Sequence, residues 1–566
     1  MTRSPRTPRR LTHRRYSGRR AAARGTAILA FALPVIAAAA ILGAAACSRS
    51  TAPTPRTEQV FRFRLREDPP NLDPALVTDN LSDAVTSNVF RGLVAMDPAT
   101  LAVQPAVADS WTVSGDGLAY AFHLRPGVVF HNGRALTADD VAWSFKRLLA
   151  KPTNSPRRWL LEPVAGAADF IDGKTPEVAG IVVEAPDRIT LRLDKPFAPF
   201  LGMLTMTGAS IIPREVYEDP SRGYLRAPVG CGPFRLTRWE QANVLEMAAF
   251  DRYYGGRPAI DRVQVRIIEN RATALEAYRA GDLDSLDEVP TDLTPDIEKD
   301  VHRYPFIGVG YIGFNLDLAP FKGNPALRKA INYAVDKEYL WGKLLPGGNI
   351  SGRGIIPPGI PGYDETLPGY PYDEAKARSL LAQAGYPGGK GLAPISLWVN
   401  TSEDNRQIAL QIQSDLGKVG IPIKVKEVDW AAYLHAVEGT PSTPGEAQMF
   451  RFGWYLDYPD ADAVLRLQLH SKNVGPAGNY FRYRNAGFDR LVDEALVMND
   501  PAARADAYRR AERIAVMDDA VWLFLNYFGS ATLFKPYVQG IVDTPLGEFR
   551  IPLERLRIEK PSKPAA

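Results

Sequence analysis

Residues 395–428 read ISLWVNTSEDNRQIALQIQSDLGKVGIPIKVKEV. A β-favouring apolar run at 395–399, a helical pattern over 405–419 and a second β run at 423–428 form a strand–helix–strand unit. Two strands joined by a crossover helix lie parallel, so this unit predicts a mixed α/β lobe. Directly downstream, residues 449–459 read MFRFGWYLDYP. Met449-Phe450-Arg451-Phe452 reads as a strand that delivers Gly453-Trp454-Tyr455-Leu456-Asp457 as a loop, broken at Tyr458-Pro459. Arg451, Gly453, Trp454 and Asp457 are the groups needed to hold a small zwitterion by its charged ends and main chain. The competing reading is a strand entering a solvated acidic turn, since Asp460 and Asp462 follow.

Working outward, residues 60–65 alternate as a half-buried strand, and a helical pattern covers 82–93. Residues 109–113 and 119–124 form a hairpin. Thr137 with Asp140 supplies the capping pair for a helix over 141–149, and strands follow at 180–184 and 189–193. Further strands lie at 244–248 and 263–268, and a short helix over 273–280 closes at Gly281. A third region begins with the strand at 309–315, followed by helices at 325–334 and 373–384. Beyond the opening stretch come helices at 486–497 and 501–517 and an apolar strand at 521–528. No repeat of solenoid or propeller length is visible.

The chain has 566 residues, more than one hydrophobic core usually supports, so two or three lobes are expected. Its 45 % apolar and 23 % charged residues are ordinary for a globular protein. The beginning is not: nine arginines and no acid precede an apolar run over 27–46. Basic head, apolar middle and small residues before a break describe a secretory signal over 1–46, with an uncleaved membrane anchor as the alternative. Gly43-Ala44-Ala45-Ala46-Cys47 resembles a bacterial lipoprotein cleavage box, which implies lipid on Cys47, a tether over 47–57 and anchoring to the membrane of the cell envelope. Without the nine leader arginines, 59 basic residues face 64 acidic ones, so the exported chain is near −5 and no nucleic-acid partner is implied. With Cys47 lipidated, Cys231 has no mate and no disulfide framework is expected.

Catalytic signatures are wanting. The six histidines (His13, His123, His131, His302, His435 and His470) contain no i, i+4 pair, so no zinc site is expected, and His131 reads as a turn residue. There is no Gly-x-Ser-x-Gly elbow, and Cys231 sits between glycines without a nearby base. The glycine-rich stretch 385–391 lacks the Ser/Thr of a phosphate loop after Lys390. Asp457, Asp460 and Asp462 are candidates for the acid and base of a glycosidase, but a loop spacing fixes no geometry.

Several separate stretches agree, in order and spacing, with one family. They include Asn71-Leu72-Asp73-Pro74, Pro105-Ala106-Val107-Ala108-Asp109-Ser110-Trp111, Phe130-His131-Asn132-Gly133, Pro228-Val229-Gly230-Cys231-Gly232-Pro233-Phe234 and Arg328-Lys329-Ala330-Ile331-Asn332-Tyr333-Ala334-Val335-Asp336. Over about 60–546 the chain resembles the family 5 extracellular solute-binding proteins, the oligopeptide- and dipeptide-binding components of bacterial ABC importers. The resemblance implies a mixed α/β, bilobal periplasmic-binding-protein-like fold with a third, inserted α+β lobe. Lobe I takes 58–91, 204–308 and 536–566, lobe II 92–203 and lobe III 309–535, with lobes I and III closing on ligand.

It also implies roles. Asp457 matches the acid that pairs with a peptide α-ammonium. Arg451 matches a position that takes the C-terminal carboxylate in some members, and Trp454 lines the site. Backbone groups around Gly453, Tyr455 and Leu456 match the peptide-facing edge. The implied protein acts as a monomer, needs no cofactor, catalyses nothing and passes its peptide to permease subunits. Cys231 departs from the small hydroxyl or amide residue usual between those glycines. Because the family also carries nickel complexes, haem and sugars, another solute is the alternative, and an envelope hydrolase a more distant one.

Overall fold

The computed structural model describes residues 58–559 except 219–222, 288, 290–293, 346–347, 477 and 548–549. The expected leader, the tether and Cys47 lie outside the described residues.

Val60–Leu65 forms the predicted strand, burying Phe61 and Leu65. It runs parallel to Arg262–Ile267, and Val244–Ala249 and Phe234–Glu240 complete a four-stranded sheet. The intervening chain builds a second, antiparallel sheet ordered Ala108–Val113, Ala119–Leu124, Arg188–Arg192, Ile181–Ala185, which contains the predicted hairpin. Helix Ala138–Leu149 covers this sheet: Val141, Phe145 and Leu148 join Phe122, Ile189 and Leu191 in one apolar cluster. Its start is set as the sequence predicts, with the Thr137 N–H donating to Asp140 at 3.0 Å.

The third sheet has seven strands, in the order Ser285–Leu286, Trp522–Phe534, Val301–Phe314, Met449–Tyr455, Ile395–Asn400, Ile423–Val428, with Ile350–Ser351 also on Trp522–Phe534. The strand–helix–strand unit is there: Ile395–Asn400 and Ile423–Val428 pair in parallel, Ile395 opposite Ile423, joined by helix Glu403–Lys418. Two strands are longer than expected. Val301–Phe314 begins eight residues before Val309, and Trp522–Phe534 runs six beyond Phe528. Pro305 and Gly529 lie opposite each other inside the antiparallel pair, and the ladder is irregular between Pro305 and Val309 and again between Gly310 and Tyr311. Through Ser285–Leu286 this ribbon reaches the first sheet, where Asp284 accepts the Arg62 N–H at 2.8 Å and the Tyr537 hydroxyl at 2.7 Å.

His131 is not a simple turn residue. Its Nε2 donates to the Gly232 carbonyl at 3.0 Å and its Nδ1 accepts the Gly230 N–H at 3.3 Å, so the neutral ring latches two distant loops. The glycines either side of Cys231 let this loop press on the end of helix Asn80–Val89; a Cβ on Gly230 would fall 2.1 Å from the Val89 oxygen.

Two buried groups give the fold opposing pH dependences. Burial pushes Glu512, which accepts the N–H groups of Ile355 and Ile356 at 2.6 and 2.8 Å, up to about 7. Burial pulls His131 down to about 4. Glu512 therefore contributes stability that is complete below its unfolded value near 4.5 and lost as pH rises through about 7. His131 contributes stability that is complete above about 6.5 and lost as pH falls through about 4. Thermal unfolding across about pH 4 to 8 should show the deficit of Glu512→Gln relative to the parent shrinking as pH rises, by at most about 3 kcal/mol. The deficit of His131→Asn should shrink in the opposite direction, and pH-independent differences would contradict both assignments.

Candidate ligand-binding site

Strand Met449–Tyr455 takes in Gly453, Trp454 and Tyr455, which the sequence reading placed in a loop. The reason is a complete partner: Val301–Phe314 pairs with all seven residues, from Phe314 opposite Met449 to Gly308 opposite Tyr455. On the other side, Ile395–Asn400 pairs only with Met449 and Phe450. The main-chain edge from 451 to 455 therefore has no strand partner among the described residues.

Asp457 sits just past the strand, on a turn whose neighbours are each fastened. The Trp454 indole N–H donates to the Ala463 carbonyl at 2.7 Å, the Leu456 N–H to the Ile307 carbonyl at 2.9 Å, and the buried Tyr458 hydroxyl to Asp462 at 2.6 Å. These bonds hold the backbone on both sides of Asp457, while its own side chain stays one-third exposed. Trp454 is thus an anchor of the turn and is absent from the cavity wall that Asp457 lines. Leu456 is buried but reaches that wall, and Tyr455, exposed, stacks on Phe528 with ring centroids 4.6 Å apart. Phe528 also lies against Gly453, where a Cβ would come within 2.7 Å of its ring.

The cavity measures about 350 Å³ and brings together segments remote in sequence, among them Thr78, Asp79, Arg157, Phe306 and Arg550. Arg157 Nη1 donates to Asp457 Oδ1 at 3.2 Å. Asp83, on the same wall, is paired with Arg550 and accepts the Thr207 hydroxyl at 2.5 Å. A second cavity of about 420 Å³ is lined by Asp457 together with Trp159, Phe197, Tyr458 and Arg466.

Arg451 lies on the same strand but lines none of these cavities. Its Nη1 donates to the Phe452 carbonyl, while its Nε is buried without a partner and no carboxylate pairs with it among the described residues. Burial lowers its pKa. Gly310 makes room for it: a Cβ there would fall 3.0 Å from Arg451 Nη2 and 2.2 Å from Asn526 Oδ1, which is likewise buried and unpartnered.

The acids after Asp457 are not solvated. Asp460 is held bidentately by Arg504 at 2.6 and 2.8 Å, and Asp462 by Arg466 at 2.7 and 2.6 Å, both carboxylates being buried. They cement the turn, which leaves no free carboxylate pair there for a glycosidase. Cys231 is a buried thiol 3.9 Å from the Arg91 carbonyl, and burial pushes its pKa up to about 12, far from a nucleophile's range. Arg157, Asp79 and Arg550 escaped the sequence reading because tertiary packing alone places them beside Asp457; no local pattern marks them.

Comparison with known proteins agrees with the resemblance. The family described as bacterial extracellular solute-binding proteins, family 5 Middle, matches residues 102–476. Heme-binding protein A of Haemophilus influenzae is 31 % identical over 90 % of this chain and 96 % of its own length, and the dipeptide-binding protein of Escherichia coli K12 is 30 % identical over 85 % and 91 %. The murein tripeptide-binding protein MppA in its unliganded open form superposes with a TM-score of 0.78 at 25 % identity, covering 89 % of this chain and 98 % of MppA. DppA of Helicobacter pylori, in complex with the peptide STSA, gives 0.70 at 28 % over 88 % and 98 %. These relatives are binding proteins rather than enzymes, and their periplasmic-binding-protein architecture is the one described above. The chain belongs to the bacterial extracellular solute-binding proteins of family 5.

Proposed function

We propose that this protein is the peptide-binding subunit of an ABC importer. It is tethered to the membrane through lipid on Cys47, acts as a monomer without catalysis, and hands its ligand to permease subunits. The observation that carries the reading is Asp457, a carboxylate on a fastened turn, lining a cavity at the end of a main-chain edge that has no strand partner among the described residues. In this reading lobe I (58–91, 204–308, 536–566) and lobe III (309–535) close over a peptide, beside lobe II (92–203). With these bounds strand Val301–Phe314 passes from lobe I into lobe III and pairs along its length with Trp522–Phe534 of lobe III.

The peptide lies along residues 451–455 as an added strand, its ammonium on Asp457 and its carboxylate on Arg451. Main-chain pairing is blind to side chains, so such a site accepts many sequences. A buried guanidinium without a counter-ion is costly, and an arriving carboxylate removes that cost. Six residues of extended chain separate Arg451 from Asp457, at most about 20 Å at strand rise. With the reach of both side chains, that suits ligands of about three to five residues.

Calorimetric titration of the leaderless protein with free, N-acetylated and C-amidated tri- to pentapeptides should show binding only where the amino terminus is free. Asp457→Asn should weaken binding by about 2–5 kcal/mol; affinity equal to the parent's would remove the ammonium role. Arg451→Met should weaken peptides with a free carboxylate while leaving their C-amides nearly unaffected, whereas equal losses for both would place the carboxylate elsewhere.

A further inference from the structure

We propose that Arg157 is a specificity-determining residue: paired with Asp457, it makes the subsite a receptor for a ligand end that carries an ammonium and a carboxylate a few atoms apart. The inference rests on the reading of Asp457 as the ammonium anchor and names the ligand class that anchor prefers.

Arg157 does not depend on Asp457 for its position. Its Nε donates to the Val77 carbonyl at 3.1 Å and its Nη2 faces the Thr78 carbonyl at 3.5 Å. Its backbone N–H donates to the Ser155 hydroxyl at 3.0 Å, and that hydroxyl donates to the Ala75 carbonyl at 2.5 Å. The guanidinium is therefore fixed to the 75–78 loop by bonds that remain when ligand arrives. Asp457, in contrast, has only Oδ1 engaged, and its Oδ2 has no partner among the described residues. Ligand thus meets a free carboxylate oxygen beside a cation that stays in place.

Charge decides what fits. Asp457 and Arg157 neutralise each other, and so do Asp83 and Arg550 on the same wall. Asp79, the remaining acid there, accepts the Ser82 N–H at 2.8 Å as the cap of helix Asn80–Val89. An isolated ammonium placed on Asp457 Oδ2 feels the neighbouring guanidinium as a like charge. A terminus bringing its own carboxylate gives that guanidinium an anion to hold, and guanidinium is the cation best suited to carboxylate. Two kinds of peptide supply this chemistry: one whose first residue is acidic, and one whose first residue is joined through its side chain, leaving ammonium and carboxylate on one carbon.

The tripeptides Asp-Ala-Ala, β-Asp-Ala-Ala and Asn-Ala-Ala separate these sources. The first two are isomers, and the third is an isostere of the first without the carboxylate. Titration of the parent protein should show at least one isomer binding about tenfold or more tighter than Asn-Ala-Ala, a gap expected of one charge-assisted contact; the tighter isomer identifies the source. Arg157→Gln should erase the preference, and Arg157→Lys, which keeps the charge but loses the planar fork, should retain a reduced one. Equal binding of all three by the parent, no binding of any, or an unchanged preference in a folded Arg157→Gln protein overturns the proposal. Asp457→Asn run alongside separates the two readings: if all three tripeptides bind alike yet Asp457→Asn abolishes them, the ammonium anchor stands and only the role of Arg157 falls.

Discussion

The antiparallel pairing of Val301–Phe314 with Trp522–Phe534 is the constraint on which the rest of this molecule depends. It meets the first sheet at one end through Ser285–Leu286 and carries the seven-stranded sheet at the other. Near the end of the ribbon away from Ser285–Leu286, Tyr311 stacks on the fully buried Trp522 with centroids 3.9 Å apart, and the Tyr311 hydroxyl donates to Gln468 at 2.8 Å. A buried hydroxyl left without that acceptor would be costly, so the stack and the bond together fix the register of two strands from opposite ends of the third region. Strand Met449–Tyr455 is then laid down against a template already set.

The site inherits its rigidity from buried charge. Asp460 and Asp462, each clasped by an arginine, add little net stability, because desolvation offsets most of the attraction. What they supply is geometry: with both neighbours immobilised, Asp457 is the acid of that turn left one-third exposed, on the wall of a cavity. Arg451 presents the opposite case, a buried cation with no anion beside it. A group of this kind is costly in a fold that is otherwise well bonded, and the carboxylate-binding role proposed above for Arg451 would relieve that cost.

The Gly230-Cys231-Gly232 loop shows how a functional-looking motif resolves into packing. A cysteine between glycines invites a search for a nucleophile, yet the glycines serve close approach to helix Asn80–Val89, the thiol is sealed in the core, and His131 spends both ring nitrogens on the loop's backbone. His131 and this loop form a clasp between distant segments.

Local periodicity and capping were enough to place most elements from sequence. The alternation of 60–65, the Thr137–Asp140 cap and the parallel unit at 395–428 all depend on interactions within a few residues, which is why they are legible in order along the chain. The ordered motifs pointed to the family, and the stretch carrying Arg451 and Asp457 stood out by its composition. The sequence alone could not reveal that Pro305 and Gly529 lie inside paired strands, that Asp460 and Asp462 are buried, or that Trp454 faces the turn rather than the cavity. Nor could it bring Arg157 to Asp457, three hundred residues away along the chain. Those outcomes follow from which distant partners the packed chain offers, and a backbone break or a charge takes its meaning from the partner it meets.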